Sequence, residues 1–415
     1  MKKLAVILLL AFSQPLLAQL SLDSCIRQSI RNFKYDLETK AVEEYGELLA
    51  KNAGKSWYPE LNLEYRSTFQ NQQIEFPSSA LTGGPEVPLD FHRLLLNFSQ
   101  TIYDGSVSAH RKHIETYSTQ SKKIELESRM VDLRAQVTKL YMTSLLIEEQ
   151  SMILESNRKS LSAQVDRIRA SAEGGLSLET DLLSMEAELL GLEMKEVELK
   201  SQKELFLDQL LVLMGIEGSQ DADLTAPIVV LVDAAFDNRP EIRLMQNNIA
   251  LMESQKKLYG SSRIPKVQLF GSAGAGNPGY NIIDNTVQPM GLIGLGIRWD
   301  IWDWNETANS KSVLALKQGN IEFAIERRLI GLESDLNQQR SEISKLDDLM
   351  QHDNQMVELR TAVVNIKSSQ LENGVITSSD YLMELNKLTR AQIDRKAHEL
   401  EMVQAKLNYN IIAGN

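Results

Sequence analysis

Few residues in this chain could do chemistry, and the informative ones come in pairs. Asp181 lies seven residues past Gly174, and Asp380 stands in the same place past Asn373, in the matching runs Glu173-Gly174-Gly175-Leu176 and Glu372-Asn373-Gly374-Val375. A carboxylate just beyond a glycine turn is well placed to cap and solvate the first turn of a following helix, where negative charge is favoured. His110 and His113 are spaced i,i+3 and could share a metal on a helix. No third ligand accompanies them, so they read as solvated helix residues. Cys25 is the single cysteine, which excludes an intrachain disulfide. It reads as an ordinary helix residue, because Leu22-Asp23-Ser24 before it makes a poor lipid-attachment site. There is no His-Glu-x-x-His, phosphate-binding glycine loop or nucleophile elbow. Acid pairs are abundant in an acidic helical sequence and carry no specificity for acid–base catalysis. The expectation is a protein that is not an enzyme and needs no cofactor or metal.

The totals narrow the class further. Residues 1–18 have a basic start at Lys2 and Lys3, an apolar run from Leu4 to Phe12, and Ala18 at a cleavage point, as in a secretory signal peptide. Loss of the two lysines takes the formal charge from −12 to −14, which argues against a nucleic-acid partner. No later segment reaches the roughly 20 apolar residues of a membrane helix. An exported chain of this kind enters a membrane only as strands.

Repetition organises the rest. Thr101-Ile102-Tyr103-Asp104-Gly105 returns 199 residues later as Asp300-Ile301-Trp302-Asp303-Trp304, at the same offset as the two glycine turns. Proline is absent from Leu89 to Ala226 and from Met290 to Asn415, which permits long uninterrupted helices. Leu126, Leu133, Leu140, Ile147, Leu154, Leu161 and Ile168 recur every seven residues, and so do Leu329, Leu336, Ile343, Met350, Val357, Val364 and Leu371. Such heptads predict packed, left-handed coiled-coil helices, the first about 100 Å long at ~1.5 Å per residue. The expected first repeat, 19–213, holds a helix at 22–55, strands near 60–70 and 93–103, a long helix 106–172 and a helix 177–214. An equatorial linker covers 214–231. The second repeat, 232–415, holds a helix at 232–259, strands near 266–275 and 290–302, a long helix 306–371 and a helix 377–412.

The strands show themselves by alternation. Leu61, Leu63, Tyr65 and Phe69 interleave with Asn62, Glu64 and Arg66, while Leu295, Ile297, Trp299 and Ile301 interleave with Gly296, Arg298 and Asp300. Such strands fit a half-exposed soluble sheet or a tilted outer-membrane strand. Trp57, Tyr58, Tyr103, Trp299, Trp302 and Trp304 gather at strand–helix junctions, where a membrane-interface girdle would lie. The competing reading is that they staple a soluble sheet to its helices. On the membrane reading Glu64, Arg66, Arg298 and Asp300 keep a pore wet. Four strands cannot close a barrel and hydrocarbon tolerates no open edge, so copies must combine. Three copies give twelve strands, although arithmetic alone allows two.

From Leu20 to Ala413 this pattern resembles the TolC-like outer-membrane efflux and secretion channel family. The landmarks are Asn32 and Asn238-Arg239-Pro240, Tyr58-Pro59 and Ile264-Pro265, Gln100 through Gly105, and the turns Gly174-Gly175-Leu176 and Asn373-Gly374-Val375. The resemblance implies an α+β membrane protein: a homotrimer whose twelve-stranded β-barrel in the outer membrane of a Gram-negative bacterium continues into a helical periplasmic tunnel. It implies a passive exit duct of a tripartite efflux pump or type I secretion system. Its partners would be outer-membrane lipid, a periplasmic adaptor (membrane fusion protein) and an inner-membrane exporter of RND or ABC type. Gly174, Gly175, Leu176, Gly374 and Val375 would form the adaptor-facing tip. Asp181 and Asp380 would each become a ring of three carboxylates favouring cations at the constriction. Relatives tether this gate with a tyrosine and an arginine, and the matching residues here are Leu371 and Ile376. Met383 replaces a second acid, so apolar packing is expected to hold the constriction. A periplasmic coiled-coil adaptor is the alternative, though it calls for one hairpin between soluble β modules rather than two hairpins and paired strands.

Overall fold

The computed structural model describes residues 20–72, 87–174, 177–217 and 223–414. The expected signal peptide, most of the loop 71–89, Gly175 and Leu176 lie outside these residues. The elements in order are α1 (Leu22–Asn32), α2 (Tyr35–Gly54), β1 (Glu60–Phe69), β2 (Asp90–Tyr103), α3 (Val107–Glu173), α4 (Glu179–Met214), α5 (Pro240–Ser261), β3 (Lys266–Asn277), β4 (Gln288–Arg298), α6 (Glu306–Glu372) and α7 (Ser378–Ala413). Single 3-10 turns occupy Lys55–Trp57 and Phe236–Asn238. The two long helices, α3 and α6, are 67 residues each, and α4 and α7 are 36 residues each. No described helix is long and apolar enough to cross a membrane.

Three expected boundaries move, each for a local reason. The opening helix of the first half breaks at Phe33-Lys34, where Lys34 takes φ +57. That frees Asn32 to donate from Nδ2 to the carbonyls of Val212 (3.4 Å) and Leu213 (3.1 Å) at the end of α4. In the second half helix begins only at Pro240. Proline suits the first helical position, and it confines Arg239 before it to extended backbone (φ −66, ψ 134). β4 stops at Arg298 rather than near 302, because its last partner is Lys266. The residue before Lys266 is Pro265, which has no N–H to extend the ladder.

The chain forms two compact units. One comprises the segments up to Glu38, Leu126–Ile242 and from Arg327 onward, and the other Thr39–Glu125 and Arg243–Glu326. In the first unit, Leu22 and Cys25 of α1 pack with Val137, Tyr141 and Leu145 of α3 and with Leu207, Leu210, Leu211 and Met214 of α4. Burial pushes the Cys25 thiol up to about 11, outweighing its hydrogen bonds to Ser24 and the backbone. All seven residues of each heptad row are buried or half-buried. Tyr141 Oη lies 2.6 Å from Leu20 O and 2.8 Å from Thr225 O, and accepts from Thr225 N at 2.9 Å. It thus holds the extended Leu20 and Leu224 segments, which bridge in parallel, on the helices.

The second unit carries the sheet, an antiparallel meander in the order β1-β2-β3-β4. Direct ladder partners include Leu61 with Phe98, Leu63 with Leu96, Tyr65 with Leu94, Leu269 with Leu295 and Val267 with Ile297. Opposed residues share a face, so this register puts one apolar face together, and that face is uncovered: Leu63 is 70% exposed and Ile293 75%. The opposite face holds a polar network in which Asn97 Nδ2 donates to Asn62 Oδ1 (2.9 Å) and Glu64 Oε2 (3.2 Å). A bulge at Ile102 shifts the β2–β3 register at the sheet base. β1 and β4 are both edges.

Candidate functional site

The second helix turn is built from local rules. Gly374 takes φ +67, donating to Leu371 O (3.0 Å) while Val375 donates to Gln370 O (2.9 Å). Those two bonds close α6 as a Schellman turn. Thr377 then caps α7: its Oγ1 accepts from Asp380 N (3.3 Å), and Asp380 Oδ2 accepts from Thr377 N (3.2 Å) and Oγ1 (2.9 Å). This is a capping box with Asp in the third helical position. The Thr377 bonds hold the Asp380 carboxyl below the ordinary aspartate value.

The first turn is built differently. α4 starts at Glu179, and its N-cap residue, Leu178, offers no side-chain cap. Asp181 turns its Oδ1 to the other half, accepting from Ser378 N (3.0 Å) and Ser378 Oγ (2.6 Å). Ser378, only 1% exposed, is the first residue of α7. The carboxylate of one turn therefore caps the helix of the other. No sequence signal announces this, since Asp181 and Ser378 are 197 residues apart.

Leu371 is buried in a cluster with Leu161, Val165, Ile168, Met185 and Tyr381, and Ile376 packs at its margin. Beside it Arg167 Nη1 donates to Glu372 Oε1 (2.5 Å) and Gln164 Oε1 (3.3 Å), tying α3 to α6. No local sequence signal marks that link either, since its ends lie 205 residues apart. Burial raises the Tyr381 phenol, opposed by nearby Arg167. Val375 is exposed, and so is Gly174, whose N–H donates to Ala170 O (3.2 Å).

The aromatic junctions are tied down as well. Trp57 Nε1 donates to Ser108 Oγ (2.6 Å) and Trp299 Nε1 to Arg263 O (3.0 Å). Arg263 also donates to Ile301 O (3.0 Å) and Asp303 Oδ1 (3.1 Å). Trp302 and Trp304 meet edge to face at 5.8 Å. Tyr58 and Tyr103 are exposed at the strand ends. Among the described residues no cluster of three or more His, Cys, Asp or Glu could hold a metal.

The landmarks at 32 and 239 acquire a geometric meaning. Arg239 Nη1 donates to Ile411 O (2.7 Å) and Ile412 O (3.0 Å) at the end of α7, 199 residues after the carbonyls that Asn32 caps. Gly215 (φ +71) and Gly414 (φ +96) terminate the two helices at the same offset.

This fold, two helical hairpins with a four-stranded meander, is that of outer-membrane channel subunits. The family profile described as Outer membrane efflux protein matches residues 46–215. The chain is also similar to the outer membrane protein VceC from Vibrio cholerae, at 14% identity and TM-score 0.74 over 95% of this chain and 96% of that one. It is similar to the CmeC outer membrane channel of Campylobacter jejuni (13% identity, TM-score 0.72, 95% and 85% covered) and to the MtrE outer membrane channel of Neisseria gonorrhoeae (13%, 0.70, 95% and 89%). No curated protein sequence matches the chain. The resemblance to TolC-like outer-membrane channels is thus carried by the sequence over 46–215 and by the fold over both halves.

Proposed function

We propose that this chain is one third of an outer-membrane exit duct: a homotrimer with a twelve-stranded barrel and a helical periplasmic tunnel. The carrying observation is the sheet, which leaves the edges β1 and β4 unpaired and presents an uncovered apolar face. A single copy meets neither water nor hydrocarbon well. Joining β1 of one copy to β4 of the next closes the edges and turns the apolar face to lipid, with Trp57, Tyr58, Tyr103, Trp299 and Trp302 at the interface. Leu316, Phe323 and Ile330, exposed at heptad spacing on α6, supply a matching helical seam.

On this reading the duct is passive and serves a tripartite efflux pump or a type I secretion system, with an adaptor and an RND or ABC exporter as partners. The turns form the tip. Gly174, Gly175, Leu176, Gly374 and Val375 meet the adaptor, and Leu371 and Ile376 hold the constriction by packing. Asp181 and Asp380 lend it negative charge in addition to their capping bonds. Sedimentation with outer membranes and cation-selective conductance in planar bilayers test this reading. Recovery as a soluble, non-conducting protein overturns it.

A further inference from the structure

A groove of about 1140 Å³ runs between the start of α3, the end of α5 and the start of α6. It shares Val107, Arg111 and Lys266 with a cavity of about 410 Å³ that reaches Gln268 and Arg298 on the polar face of the sheet. The two adjoin at these side chains and are taken together as one recess. Arg111, Lys266 and Lys317, from three different elements, face it. Among the described residues no carboxylate pairs with any of these three, and Arg298 has only the contact of its Nε with Asp300 Oδ1 at 3.5 Å. Lys266 and Arg298 stand directly opposite in the β3–β4 ladder, an arrangement that costs stability unless an anion lies between them. The acids nearby are mostly engaged. Asp303 accepts from Arg263 (3.1 Å) and Thr307 N (3.1 Å), and Asp104 from the N–H of Ser106 (2.8 Å) and Ser108 (2.7 Å). Glu306 is the one remaining carboxylate on the groove wall. The walls carry four cations, Arg111, Lys266, Lys317 and Arg298, against three carboxylates, Asp104, Asp303 and Glu306, a slight positive excess in a chain of formal charge −12.

Its walls are also apolar, and one of them is strained. Trp304 takes φ +51, where the equivalent residue of the first half is Gly105 at φ +66. A bulky side chain in left-handed backbone costs free energy and points to a use for that side chain. The indole is exposed, lining the groove with Leu258 and Val313.

We propose that this recess binds amphipathic organic anions. Arg111, Lys266 and Lys317 hold a carboxylate, sulfonate or phosphate group, while Trp304, Leu258 and Val313 take the apolar body. Approach from a lumen rests on the channel reading; binding does not, so conductance and affinity fail separately.

The test is calorimetric titration of naphthalene-2-sulfonate, and of its neutral isostere naphthalene-2-sulfonamide, into the full chain in phosphatidylcholine nanodiscs. The sulfonate binds saturably and more tightly than the sulfonamide, and more weakly as salt rises. Combined Arg111→Gln, Lys266→Gln and Lys317→Gln lowers sulfonate affinity by about tenfold, as three partly solvated charge pairs imply, and leaves sulfonamide binding unchanged. If that triple variant misfolds, Lys317→Gln alone, on an exposed helix position, still gives a loss of about threefold. Trp304→Gly weakens both probes while raising thermal stability. Phosphatidylglycerol added to the discs identifies the natural source: displacement of the sulfonate assigns the recess to a lipid headgroup, and undisturbed binding to a soluble anion. Equal affinity for the two probes, or sulfonate binding unaffected by the charge variants, overturns the proposal.

Discussion

In the second half of the chain, Gly374, Thr377 and Asp380 close one helix and open the next with bonds that never leave the turn. In the first half, Asp181 leaves its own helix uncapped by any side chain and reaches Ser378 instead. Equivalent carboxylates thus do different work: one defines a turn, the other fastens two turns together. The two turns match in sequence and differ in what their carboxylates hold.

This contrast can be broken in order of expected effect. Leu371→Ala empties part of the shared cluster beneath both turns and should cost about 3 kcal/mol, read as a lower unfolding midpoint. Asp181→Ala strands the buried Ser378 N–H and hydroxyl and should cost about 2 kcal/mol. Its signature is faster hydrogen exchange in the first turn of α7, not of α4, and exchange enhanced only in α4 would show that the cross-cap is not made in solution. Thr377→Ala removes one local cap and should cost about 1 kcal/mol, with the effect confined to α7. The smallest effect is on pH dependence. The folded Asp380 carboxyl titrates below its ordinary value, so its contribution is complete above the unfolded value near 3.9 and is lost as pH falls through the lower folded value. Asp380→Asn should flatten that acid limb of the stability curve by lowering the neutral plateau, and leave stability below the folded value unchanged.

Which parts of this were readable from sequence follows from range. The long helices, four strands and the Gly374 turn showed in period and composition, because each is set by neighbours within a few residues. The helix break at Lys34 serves a contact far along the chain, the late start at Pro240 follows from that proline's restriction of Arg239, and the early end of β4 from the missing N–H of Pro265. Gly374 and Asp380 announced themselves by local capping chemistry. The Asp181–Ser378 and Arg167–Glu372 links did not, since nothing in either segment specifies its partner. Asn32 and Arg239 were visible as landmarks, and only the fold supplied their task of satisfying the last carbonyls of α4 and α7.

On the proposed function, one copy supplies an open third of a closed barrel. Native mass spectrometry of the protein extracted from outer membranes tests it most directly. The expected result is a particle of three chains that dissociates only when the barrel unfolds. A folded monomer or dimer that keeps β1 and β4 as free edges would contradict it.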